Sequence, residues 1–236
     1  MNLRKMVWLG LAILTVACIP PQITLAGPPL ICHAIDIGAA RSLPWSSNTW
    51  NLSGSETYDI NQLIDDTLAL LGPSMPPLVR METMRRATLY AQKNPAIAEQ
   101  LLARLRTRAL DAEHNGRPDA LAWFDAGYLV ETYKQANWLF KKVSDASSTG
   151  TPKWTHEEKV NPATGLDGYA WIEKAIKLRG GDAEMEFAAA VITADKASDR
   201  ASNRGHQEHL QKALAGAKTD PLLARNIATH FGSEKS

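Results

Sequence analysis

Cys32-His33 is the most pointed chemical pair in the chain. A thiol beside an imidazole can coordinate a soft metal or haem iron, or act as an activated nucleophile. Neighbours in sequence need not point the same way, however, and no CxxC or CxxCH motif completes the pair. A buried inert thiol and a disulfide to a second molecule stand as the competing readings. His206-Gln207-Glu208-His209 places two imidazoles at i and i+3, close enough on one helical face to share a metal. Zinc needs further ligands and the order is not HExxH, so two solvated histidines at a helix start are expected. Asp65-Asp66, Asp182, Glu184 and Glu186 sit near expected helix starts, where the helix dipole alone accounts for acids. No GxSxG, P-loop or dinucleotide fingerprint is present. These residues support neither an enzyme nor a cofactor.

The elements that must position such groups begin after a leader. Arg4 and Lys5 precede an apolar run over 6–17, too short to span a bilayer, and Thr24-Leu25-Ala26 offers a small-residue cleavage site before Gly27. Residues 1–26 are therefore expected to be a signal peptide and the protein to be exported, periplasmic or secreted. An earlier cut is the alternative, because Leu14-Thr15-Val16-Ala17-Cys18 is similar to a bacterial lipobox whose Cys18 would carry a lipid anchor. If cleavage follows Ala26, Cys32 is the single remaining thiol and no intramolecular disulfide can form. No later run is long and apolar enough for a membrane span.

The 236 residues carry a formal charge of +1. A nucleic-acid binder needs a basic face to collect phosphates, so that class is disfavoured. The cluster Arg104, Arg106 and Arg108 alternates with leucines and reads as a solvated helix face.

Residues 27–58 read as an irregular arm with one helical turn near 35–41. Its apolar residues Leu30, Ile31, Ile35, Ile37, Leu43, Trp45 and Trp50 are too numerous for a free tail, so the arm is expected to lie against helices. Apolar periodicity, caps and breakers then place helices at 59–71, 77–92, 94–113, 119–142, 166–179, 182–196, 205–217 and 220–231. No strand pattern occurs, and the expected fold class is all-α. Between 144 and 165 lies a polar insertion carrying Trp154 and His156. The helix over 119–142 has two apolar seams, one with Leu121, Phe124, Tyr128 and Leu139, the other with Trp123, Ala126, Val130, Tyr133 and Phe140. Such a helix is sandwiched, with Asp125, Glu131 and Lys134 on the circumference left over.

An internal register ties the later helices together. Offset by 38 residues, Trp171 to Thr193 aligns with His209 to Phe231, matching Asp182 to Asp220 and Ala190 to Ala228. The same register sets Asp119, Ala126 and Gly127 on Asp182, Ala189 and Ala190. Each unit has an acidic cap followed by small residues that admit the next helix. This layout resembles the tetratricopeptide repeat: Trp123-x2-Ala126-Gly127-x2-Val130 is similar to that repeat's first helix, and Glu173 to Glu184 to its second helix running into the next unit. Gly180 stands where the family has proline, the third unit lacks the aromatic, and the spacings of 63 and 38 depart from the family's 34.

The resemblance implies a short α-solenoid of antiparallel helix pairs that holds a protein or peptide, or a second copy of itself. In the family the partner lies on the concave face made by first helices. Here that face would present the exposed positions of 119–142, 182–196 and 220–231, for example Asp125, Tyr133 and Asn137. A second expectation, of a different class, places the function in the arm: Cys32 and His33 bind metal or haem, or Cys32 links protomers, with the helices as a platform.

Overall fold

The structure, a computed structural model, describes residues 28–45, 52, 54–146, 161–194 and 200–232. The expected signal peptide with both cleavage sites, and most of the expected insertion with Trp154 and His156, lie outside the described residues. Among those described there is no strand, and the fold is all-α. One short turn of helix, α1 (Pro29–Cys32), precedes a 3-10 turn (Ile60–Gln62) that leads into α2 (Leu63–Leu70). Then follow α3 (Pro77–Ala91), α4 (Pro95–His114), α5 (Ala120–Ala146), α6 (Gly168–Arg179), α7 (Ala183–Ala194), α8 (Arg200–Gly216) and α9 (Pro221–Phe231).

Local chemistry sets these boundaries. Proline occupies the first turn of α1, α3, α4 and α9, where its fixed φ suits the helix and its missing N–H is not needed. That is why helix appears at Pro29, where the sequence reading expected irregular chain, and not at 35–41. The acidic caps of the repeat all act alike. Asp119 accepts from the amides of Leu121 and Ala122, Asp182 from those of Glu184 and Met185, and Asp220 from those of Leu222 and Leu223.

Helices pair antiparallel. Along α5, Glu131 reaches the amide of Tyr169, Gly127 meets Gly168, and Trp123 stacks edge-on against Trp171, so α6 runs back along α5. Along α7, Glu186 meets His209 and Ala190 meets His206, so α8 runs back along α7. The small residues do what their spacing suggests. A Cβ on Gly127 would sit 2.6 Å from the carbonyl oxygen of Gly168, so the two backbones touch where any larger residue would wedge them apart. First helices align in parallel: Arg80 on α3 meets Asp125 on α5 while Thr88 meets Thr132 further along, and Leu78 at the start of α3 donates to Glu184 at the start of α7.

α5 is the rod of the core, buried without a break from Leu121 to Tyr133. Its charges depart from the expected layout. Asp125 is 0 % exposed and Glu131 is buried, because α3, α4, α6 and the arm together leave that half of the helix no wet side. α3 is buried still more completely, with Arg80, Glu82 and Arg85 inside. Arg80 donates from Nη1 to Asp125 at 2.6 Å, from Nε to the carbonyl of Met75 at 2.8 Å, and from Nη2 to the carbonyl of Gly72. With the Leu71 carbonyl, 3.4 Å from Nη2, four groups satisfy one buried cation, and the turn after α2 is tied to α3 and α5 at that point. Of the arginine cluster, Arg104 and Arg106 are exposed as expected, while Arg108 turns inward toward Asp119 and Asp125.

Asp125→Ala leaves the Arg80 charge buried without its carboxylate, and the expected loss is about 3–5 kcal/mol. Chemical denaturation of both proteins reads it directly, and equal midpoints would show the pair to be dispensable. Gly127→Leu is expected to cost at least about 1–3 kcal/mol by overpacking against α6, visible as a lower melting temperature by circular dichroism.

Candidate functional site

The first helices do form a groove, and the arm fills it. From Leu30 to Leu43 the arm inserts Leu30, Ile31, Ile35 and Leu43 among the helices, each almost wholly buried. What holds it is chiefly side chain to main chain. Gln135 on α5 accepts from the amide of Leu30 at 2.8 Å, Arg85 on α3 donates to the carbonyl of Ile31 at 3.1 Å, and Glu82 accepts from the amide of Ile35 at 3.0 Å. Asn226 on α9 clamps residue 36 from both sides, accepting from its amide and donating to its carbonyl, each at 2.8 Å. Arg86 then donates to the carbonyl of Leu43 at 2.6 Å, and the phenol of Tyr90 donates to that of Pro44 at 2.6 Å. Main-chain groups lack partners of their own in irregular chain, and a buried strip needs each one met.

The electrostatics of the groove rest on Glu82. Burial opposes its ionisation, but hydrogen bonds and charge from Arg85, together with Arg86, hold its carboxyl below the usual range. It stays an anion able to accept from the arm.

Cys32 is half-buried, and burial pushes its thiol up despite the nearby Arg85. That favours the neutral, unreactive form. His33 is buried and lies edge-on to His230, with ring centroids 6.0 Å apart. His230 donates from Nδ1 to the carbonyl of Asn226, and burial depresses it to about 4, so it is neutral at ordinary pH. Among the described residues no three His, Cys, Asp or Glu side chains converge as a metal site would require.

The expected partner-facing residues separate. Asp125 and Tyr133 are not on a surface at all: Asp125 is paired with Arg80, and Tyr133, 2 % exposed, donates its phenol to the carbonyl of Ala98 at 3.1 Å. Both sit in the half of α5 covered on all sides. Asn137 is exposed, and beside it Trp138 is 54 % exposed. The half-buried Leu139, Phe140 and Trp45 pack nearby on a small apolar cluster of Ile31, Leu89 and Ala136.

No family model, curated protein or solved structure matches this chain. Function therefore has to be argued from the geometry.

The histidines of α8 also differ from expectation. His206 and His209 are buried, drawn in because Ala189 and Ala190 let α8 approach α7 closely. His209 donates from Nδ1 to Glu186 at 2.5 Å, which leaves Nε2 to accept from the Tyr169 phenol at 2.7 Å. This carboxylate, imidazole and phenol chain links α7, α8 and α6. Burial raises the Tyr169 phenol far from any nucleophilic range, so the chain acts as a strut between helix pairs.

Sequence reasoning missed Glu82, Arg85, Gln135 and Asn226 as groove residues. A signal existed for Asn226, a poor helix former inside the apolar run of α9. For Glu82 and Arg85 the three-residue spacing was visible, but nothing in it distinguishes a buried pair from a surface one.

Glu184 gives a pH handle on how the first helices are joined. It accepts from the Leu78 amide at 2.9 Å, and burial, with Asp182 and Asp220 beside it, raises its carboxyl to about 7. A raised acid binds its proton more tightly in the folded state, so its contribution is full below the unfolded value near 4.5 and fades as pH rises through about 7. Denaturation midpoints at pH 5 and pH 8 should therefore fall further apart in the native protein than in Glu184→Gln, whose amide keeps the bond without titrating. An identical pH slope in both proteins would remove Glu184 from the account.

Proposed function

We propose that this chain is an exported binding scaffold of tetratricopeptide-like helix pairs, built to hold protein and not to catalyse. The observation that carries the reading is the groove itself: side chains from α3, α5 and α9 meet the main chain of the arm at Leu30, Ile31, Ile35, Asp36 and Leu43. A surface that engages backbone in this way while burying the segment's apolar side chains is a peptide-holding surface. Repeating acidic caps and small-residue contacts support the family likeness. The layout of antiparallel pairs with first helices aligned in parallel agrees with it.

Since the groove carries the chain's own arm, the partner surface on this reading is the end of α5, with Asn137 and Trp138 facing solvent beside Trp45, Leu139 and Phe140. Exposed tryptophan flanked by apolar side chains has the composition of an interface centre.

Trp138→Ser combined with Asn137→Ala should leave the melting temperature unchanged and weaken retention of the envelope partner at least about tenfold, given that interface tryptophans carry about 2 kcal/mol or more. Quantitative affinity capture from the envelope fraction, native against variant, measures this. Equal retention by both proteins would sink the assignment of the α5 end.

A further inference from the structure

The arm is joined to its groove as a ligand is, not as a neighbouring turn of chain is. Asp36 lies 190 residues from Asn226, Leu30 lies 105 from Gln135, and Ile31 lies 54 from Arg85. Nothing in these contacts depends on arm and groove belonging to the same molecule. One point makes them do so. Tyr90 donates its phenol to the carbonyl of Pro44 at 2.6 Å and accepts on the same oxygen from the amide of Ser55 at 2.8 Å. Pro44 and Ser55 thus meet on a single oxygen atom. Gly54 completes this clasp: its φ is +73°, and a Cβ there would stand 2.5 Å from the Tyr90 ring. Holding both ends of a loop together costs chain entropy that an opened connector does not incur.

We infer that the groove is an exchange site whose occupant in trans is the 28–45 arm of a second copy of this chain. The inference rests on reading the groove as a peptide-holding surface and names the peptide. In the exchanged pair each arm lies across the other copy's α3, α5 and α9, every contact of arm with groove outside the Tyr90 clasp is remade, and the two crossings are related by a two-fold axis. The closed monomer has the advantage of an arm tethered at high effective concentration, so exchange grows with protein concentration. Charge favours this occupant. Asp36 meets Arg225 at 2.9 Å at the groove mouth, and the clamp of Asn226 fits the main chain on either side of that carboxylate.

The test uses full chains carrying Cys18→Ser and Cys32→Ser, so that introduced thiols are the reactive ones. One copy bears Asp36→Cys and a second bears Arg225→Cys, both exposed, which removes the Asp36–Arg225 pair at one crossing of the mixed dimer and keeps it at the other, and a short bismaleimide is added after co-incubation. A chain with both substitutions serves as the reach control and is expected to cross-link within itself. The expected result is a covalent heterodimer from the mixed single variants, rising with concentration and absent from either alone. Its formation should be at least about tenfold faster when both copies carry Tyr90→Phe, since losing a clasp hydrogen bond worth about 1.4 kcal/mol is a factor of ten. Mixed single variants that stay monomeric at every concentration, while the double variant closes internally, would overturn the inference. That outcome leaves the binding role of the α5 end untouched, because Trp138 and Asn137 are probed separately.

Discussion

Charge sealed inside α3 is the constraint on which the rest of this structure depends. A helix with Arg80, Glu82 and Arg85 out of water cannot be covered by apolar side chains alone, because an unmatched buried ion costs several kcal/mol. Three of the surroundings of α3 supply matching groups. Asp125 comes from α5, carbonyls of Gly72 and Met75 from the turn after α2, and the carbonyl of Ile31 from the arm. The packing around α3 is therefore specified twice, once by shape and once by hydrogen bonding. A sliding or rotated neighbour would break a charged contact as well as an apolar one.

The later helices solve a simpler problem by simpler means. Small residues at Gly127, Gly168, Ala189 and Ala190 bring pairs of backbones together, and acidic caps at Asp119, Asp182 and Asp220 start α5, α7 and α9. Close approach then has a side effect. Groups that ride on α8 are carried into the interior, and His209 finds Glu186 and Tyr169 there. What looks in isolation like a catalytic arrangement follows from tight helix pairing plus the need to satisfy buried polar atoms.

Helix positions, caps and the burial of α5 were legible in the sequence because they depend on local pattern: apolar periodicity, a capping acid, a proline or glycine break. Contact between the arm and the helices was legible too, from its excess of large apolar residues. The depth of individual charges was not. Asp125 reads as the polar side of an amphipathic helix, and only the presence of Arg80 forty-five residues earlier makes its burial tolerable. Tyr133 was misplaced for a related reason, since its ring belongs to an apolar seam and its hydroxyl finds the Ala98 carbonyl on another helix. Periodicity assigns a residue to a face, while its partners decide whether that face is wet.

The clamp on residue 36 also orders events in time. A polypeptide emerging N-terminus first presents Leu30, Ile31 and Ile35 long before Asn226 exists to receive them, so the arm must wait for the last helix. Closure of the groove is thereby a late, long-range step, slow by the usual relation between contact separation and folding speed. Until synthesis reaches α9, those apolar side chains remain available to a chaperone or to any nascent neighbour.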